Sequence, residues 1–278
     1  STFAPDSGHQ FAIEQGMGHV DLPFDIDNIR CENGQAFAHT RIGWFRSVSN
    51  IQRAFAIQSF VAELASDLGR DHKEMLLDLI GPDRTIDPRA EGFPDTWWNY
   101  GEPPGSYAIE TGRLAHVLNI AADAGGWGQP ARKDEAVGLA VHRSFASYVA
   151  AAARVRIVDG EIRVPRIDIA IDCGFAANPE RILSQMEGSA VMGLSLALYG
   201  GVHFENGAVI ESNFHDYEVV RASNYPQQVV THIVEHSFDT PAGGVGEPGL
   251  PPIAPAIANA VFHATGKRYR TLPFGLDD

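Results

Sequence analysis

"SYVAAAARVRIVDGEIRVPRIDIAIDCGFAANPERILSQMEGSAVMGLSLAL" runs from Ser147 to Leu198 and holds both halves of an α+β reading. Its first part predicts two strands around Asp159-Gly160, a dipeptide that suits a tight hairpin because both positions tolerate positive φ. Its second part predicts a long helix. Asn178 suits the cap, Pro179 the first helical position, and Glu180 the positive end of the helix dipole. Ile182, Leu183, Met186, Val191, Leu194 and Leu198 make it a core helix.

Working outward, "AVGLAVHRSF" from Ala136 is strand-like, and "IQRAFAIQSFVAELASDLG" carries an apolar helical stripe stopped at Gly69, with Ser49 or Asn50 as its cap. Asp71 and Glu74 have capping-box spacing ahead of "MLLDLIG". A further helix is predicted over 111–124. Asn206-Gly207 predicts a second hairpin, 229–238 a strand, and 30–40 another. The stretch from Pro82 to Gly105, with Trp97, Trp98 and Tyr100, reads as a long surface excursion. The fold class expected is α+β, mixed sheets with packed helices, in two parts: 1–135 with the first helices, and 136–278 with the hairpins and the long helix.

Composition excludes several functions. At 278 residues the chain can bury a core without disulfide or metal staples. A net charge of −14, with no clustering of basic residues, argues against nucleic acid and anionic membranes. No apolar run is long enough for a membrane span. Cys31 and Cys173 are the only cysteines, half of what one Cys₄ iron–sulfur cluster needs, so any such cluster must come from elsewhere. Nothing here assigns a compartment, bacterial cytoplasm or periplasm.

The stretch "TPAGGVGEPGLPPIAPAIANAVFHATG", Thr240 to Gly266, sets Glu247 among glycines ahead of an apolar helix. "GVGEPG" matches a dinucleotide fingerprint in form only, because no second strand with an acidic end follows. "HIVEH", His232 to His236, has zinc-peptidase spacing, but on a strand the two rings stand roughly 13 Å apart at about 3.3 Å per residue, too far to share one metal. Satisfied structural histidines are expected. For Glu247 two readings stay open. It caps the helix, or it is a general base on a rigid perch, with glycines letting another molecule approach and the helix N-terminus favouring its ionised form.

"DCGFAANPERILSQMEGSAVMGLSLAL", from Asp172, resembles the D-x-G-x-x-x-N-P-x-x-x-x-x-Q-x-E-G pattern of the molybdenum hydroxylases, the xanthine dehydrogenase and aldehyde oxidase superfamily. "GWFRSVSNIQRAFAIQSFVAELA", from Gly43, is similar to that superfamily's F-R-x-x-x-x-x-Q segment, and "GVGEP" follows in the same order. The "WFRSV" wording resembles most the isoquinoline 1-oxidoreductase large subunit, in its C-terminal part. The resemblance implies that Glu247 is the active-site base, and that Phe45, Arg46, Gln185 and Gly246 lie beside the cofactor or its pocket. It implies a molybdenum–molybdopterin cytosine dinucleotide with no protein side chain on the metal, and hydroxylation of an N-heteroaromatic or aldehyde substrate with water as the oxygen source.

The implied partners are the remainder of the large subunit, a small subunit carrying 2Fe–2S clusters, and a small-molecule substrate; the isolated chain is expected to be inactive. Val48 stands where xanthine-type members carry a stacking aromatic, and Met192 where many carry a glutamine, which points away from a purine. The E-M-G-Q-G type of cofactor loop is absent, with Gln15-Gly16-Met17-Gly18 its echo. The rival expectation is a cofactor-free scaffold domain that keeps the fold.

Overall fold

A computed structural model describes residues 16–32, 42–87, 90, 100, 105–130 and 132–277. In chain order these form α1 (Asn50–Asp67), α2 (His72–Ile80), β1 (Thr85–Ile86), β2 (Ile109–Glu110) and α3 (Thr111–Gly125). Then come β3 (Glu135–Ser144), β4 (Ser147–Val158), β5 (Glu161–Asp172), α4 (Pro179–Leu198), β6 (Phe204–Glu205), β7 (Ala208–Val209), β8 (Gln228–Ile233) and α5 (Ile253–Thr265). The central sheet has the order β3-β4-β5-β8. Its first three strands are antiparallel, and β8 joins β5 in parallel, so the sheet is mixed.

Helices cover both faces of this sheet. Leu139, Val141, Ala150 and Ala152 point into the core shared with α2 and α3, while Ala140, Ala151, Ile167 and Ile169 point into the core shared with α4 and α5. This explains the alanine run in β4: small side chains on both faces let helices lie close to the backbone. The approach is tightest at Gly138, where a Cβ would stand 2.2 Å from both Ala256 O and Ala260 N of α5. Gly125 of α3 meets Ala152 on the other face in the same way, at 2.4 Å.

The Asp159-Gly160 turn has φ values of 52° and 80°, as its sequence predicts for a hairpin, and Asn206-Gly207 behaves alike. The β3–β4 hairpin is different. Its turn residues, Phe145 and Ala146, are also left-handed at φ 51° and 59°, although neither is a residue that favours this region. Asp71 accepts from Glu74 N at 3.0 Å and Asn178 from Arg181 N at 3.2 Å, so both predicted caps form. At the start of α1, Ser49 makes no side-chain cap bond. Asn50 instead turns inward, donating to Ser47 O and meeting His142 Nε2 at 2.8 Å.

Two expected strands change. The 229–238 strand is shorter, because after Val234 N bonds Ile171 O the chain leaves the sheet and turns at Ser237–Thr240. For the 30–40 strand, residues 33–40 lie outside the described residues, and Arg30–Glu32 are not in a strand. Most of the 82–105 excursion, including Trp97 and Trp98, lies outside them too, as does Gln15. No described helix is long and apolar enough to cross a membrane.

Candidate functional site

The site forms where one end of the sheet meets three loops. Between β8 and α5 the chain crosses the tip of the β3–β4 hairpin. Gly244 N donates to Phe145 O at 2.7 Å, Ser147 Oγ to Gly244 O at 2.6 Å, and Gly243 N to Cys173 O at 2.8 Å. The glycines are there for this crossing: a Cβ on Gly243 would lie 2.4 Å from Ser147 Oγ, and one on Gly174, at φ 69°, 2.1 Å from Pro241 O. Gly249 is similarly pressed against Met186 and Ser189 of α4. Only at Gly246 does the space beyond the missing side chain stay open. Most of the glycines thus serve the chain's own packing, and Gly246, with open space where its side chain would be, does not.

Arg46 joins the segments. Its Nε donates to Gly246 O at 2.7 Å, and its Nη2 to Gln185 Oε1 at 3.1 Å, Gln185 O at 3.2 Å and Ser189 Oγ at 2.9 Å. Burial lowers the basicity of this guanidinium, and the nearby Glu247 carboxylate works against that. Glu247 itself is gripped by the neighbouring residue: Ser47 N donates to Oε2 at 2.7 Å, and Ser47 Oγ to the Glu247 carbonyl at 2.7 Å. Phe45 is half exposed at the rim, beside the more exposed Trp44. The hairpin tip beneath is steadied by Tyr100, whose oxygen accepts from Phe145 N at 2.6 Å; burial pushes its phenol up to about 12, so it stays neutral.

The structure therefore brings Phe45, Arg46, Gln185, Gly246 and Glu247 to one place, from positions up to 200 residues apart in sequence. It also removes one reading of Glu247. Helix α5 begins at Ile253 after Pro252, with no side-chain cap bond, so the carboxylate does not cap it. The carboxylate's bonded donor is a loop N–H on another segment, which replaces the helix N-terminus expected to support it. Two residues escape a reading of the sequence, Ser47 and Ser189, both fully buried. Ser189 has a usable signal, because it lies four residues from Gln185 on the same helical face and donates to Gln185 O at 2.8 Å. Nothing in the sequence signals that Ser47 adopts φ 73°.

The histidines of "HIVEH" have carboxylate neighbours on β5. His232 Nε2 is 3.2 Å from Asp168 and His236 Nε2 is 2.8 Å from Asp172, on separate partners. Among the described residues no group of three or more His, Cys, Asp or Glu could hold a metal ion. The rim carries groups of the kind that contact a large flat ligand without a metal bond. Gly246 presents bare backbone to open space, Phe45 and Trp44 offer exposed rings, and Gln185 and Arg46 offer polar edges.

A family model described as "Molybdopterin cofactor-binding domain" matches residues 112–226, a segment that includes Gln185 and Ser189. The beta subunit of the isoquinoline 1-oxidoreductase of Brevundimonas diminuta is 31% identical over 83% of the chain, and one subunit of the nicotinate dehydrogenase of Pseudomonas putida 29% over 90%. The chain belongs to the molybdenum hydroxylase family. A further relative, the membrane-bound aldehyde dehydrogenase (pyrroloquinoline-quinone) of Gluconacetobacter polyoxogenes, is 29% identical over 95% of the chain. This molybdenum hydroxylase chain spans 33%, 26% and 20% of the aldehyde, isoquinoline and nicotinate relatives. Its fold is that of the aldehyde oxidoreductases of Desulfovibrio gigas and Desulfovibrio desulfuricans. These align over 94% of the chain and 44% of theirs, with TM-scores of 0.57 and 0.58 and 15% identity.

Proposed function

We propose that the chain forms one wall of the molybdopterin pocket in an oxidoreductase that hydroxylates an N-heteroaromatic or aldehyde carbon, and that Glu247 is its general base. The observation that carries this reading is the tie from Arg46 to Gln185, Ser189 and Gly246, which draws the segment before α1, helix α4 and the loop of Glu247 together beside the open space at Gly246. The names of the isoquinoline, nicotinate and aldehyde relatives support both substrate classes. One relative's name specifies pyrroloquinoline quinone. The choice of molybdopterin rests on the matched family model; its cytosine dinucleotide form follows only from the resemblance of the sequence motifs.

The net reaction converts R–H and water to R–OH, two protons and two electrons. When bound, the cofactor would supply the redox chemistry, and the electron pair would leave through 2Fe–2S clusters on a small partner subunit. The chain's share is placement and proton transfer. Arg46 fixes the Gly246 carbonyl, and Ser47 occupies Oε2 of Glu247. Among the described residues Oε1 accepts no hydrogen bond, so it is the oxygen available to take a proton from the water-derived nucleophile. Phe45 and Trp44 present exposed apolar rings at the rim. The remainder of the large subunit would close the pocket from the other side.

Turnover of the holoenzyme in ¹⁸O-labelled water tests the oxygen source. The product is expected to carry one labelled oxygen from water under ordinary dioxygen. Unlabelled product in labelled water would contradict hydroxylation by water.

A further inference from the structure

We propose that Ser47 is a positioning residue for Glu247, holding both its carboxylate and its main chain so that one carboxylate oxygen alone faces the reacting atoms. The inference rests on the base role of Glu247 and goes beyond it by naming what aims the base. Ser47 is fully buried and makes two contacts to the same residue, one from its peptide N–H to Oε2 and one from its hydroxyl to the Glu247 carbonyl, each 2.7 Å. Two donors on one residue fix the carboxylate and the backbone that carries it together, which removes rotation about the side chain as well as drift of the loop.

The backbone at Ser47 is built for this grip. Ser47 and Val48 are both left-handed, at φ 73° and 50°. For a β-branched valine that conformation is an outlier, sustained only where the surroundings over-determine it. Here they do. Val48 N bonds Phe45 O at 2.8 Å, Asn50 N bonds Ser47 O at 3.1 Å, and the Asn50 amide donates to the same carbonyl at 3.0 Å. The turn swings the Ser47 N–H away from helix α1 and toward Glu247, while Arg46 on the preceding position anchors Gly246. Residues 246 and 247 are therefore held from two successive residues of one tight turn.

The test is a double-mutant cycle in the holoenzyme. Ser47→Ala is expected to lower kcat by about tenfold to a hundredfold, the range for a misplaced catalytic group, with KM within about twofold. In a Glu247→Gln background the same change should lower kcat no further, because there is no base left to aim. Ser47→Gly, which suits φ 73° and lacks the hydroxyl, should repeat the result and guards against a folding failure of the alanine variant. A separate readout is amide hydrogen exchange, in which Glu247→Ala should speed exchange at the Ser47 N–H by about tenfold or more.

An equal drop in both backgrounds would make Ser47 merely structural and overturn the proposal. So would an unchanged kcat in Ser47→Ala and Ser47→Gly, or an unchanged Ser47 amide in Glu247→Ala. If Glu247→Gln alone leaves turnover intact, the base role fails by itself, and the exchange measurement still decides whether Ser47 grips the carboxylate.

Discussion

Replacing Glu247 with glutamine in the holoenzyme is expected to lower turnover at least about a hundredfold while leaving folding untouched. The two halves of this expectation come from the two ends of the side chain. Glutamine keeps an oxygen that can accept from Ser47 N, and the main-chain carbonyl still accepts from Ser47 Oγ, so the local bonds survive. The stability change should stay below about 1 kcal/mol, the scale of one neutral hydrogen bond. Chemistry is another matter. An amide cannot take up the proton that the hydroxylation releases, and general-base contributions run from roughly 10² to 10⁴. Steady-state kinetics beside a melting curve and a molybdenum assay would check it. A variant that binds molybdenum and turns over within a fewfold of the parent would assign the carboxylate to the loop and not to the reaction.

The largest expected loss of stability lies under the site, at Arg113. Its Nη2 is 2.5 Å from Asp172 Oδ1 and its Nε 3.0 Å from Oδ2, a bidentate pair at the end of β5. Asp172 is almost wholly buried, with its side chain 2% exposed. Burial alone would raise its carboxyl, but Arg113, His236 and the Gly174 N–H outweigh burial and hold it below its ordinary value. Arg113→Ala strips away the main partner and is expected to cost about 3–5 kcal/mol in urea unfolding near neutral pH.

The pH dependence has a definite sign. A carboxyl depressed in the folded state contributes stability that is present above its unfolded value, 3.8, and is lost as pH falls below it. The gap between parent and variant should therefore shrink below about pH 4. A gap of the same size at about pH 3 and about pH 7 would contradict this account. Because Cys173 O accepts from Gly243 N, loosening the end of β5 should also loosen the loop that carries Glu247.

How far the sequence could be read follows from where the interactions lie. Asp159-Gly160 and Asn178-Pro179-Glu180 encode their turn and cap within a few residues, and those features stand as expected. The Phe145-Ala146 turn has no such local signal, because its left-handed backbone is sustained by contacts with Gly243 and Gly244, about a hundred residues away. The same applies to the end of β8, where His236 leaves the sheet for Asp172. The glycines around Glu247 suggest, in sequence, room for another molecule, yet Gly243, Gly244 and Gly249 are occupied by the hairpin and by α4, and Gly246 alone is open. The gathering of Phe45, Arg46, Gln185, Gly246 and Glu247 is legible only through a resemblance of motifs, since no spacing rule links segments this distant. Ser47 is invisible in sequence, because what it does is set by its backbone angle.

The most direct test of the central claim is the cofactor content of the purified native holoenzyme, by metal analysis and by identification of the released pterin. The account predicts molybdenum in stoichiometric amount with a molybdopterin dinucleotide, and loss of turnover when it is removed. A folded, active holoenzyme that contains no molybdenum, or that carries pyrroloquinoline quinone in its place, would contradict it.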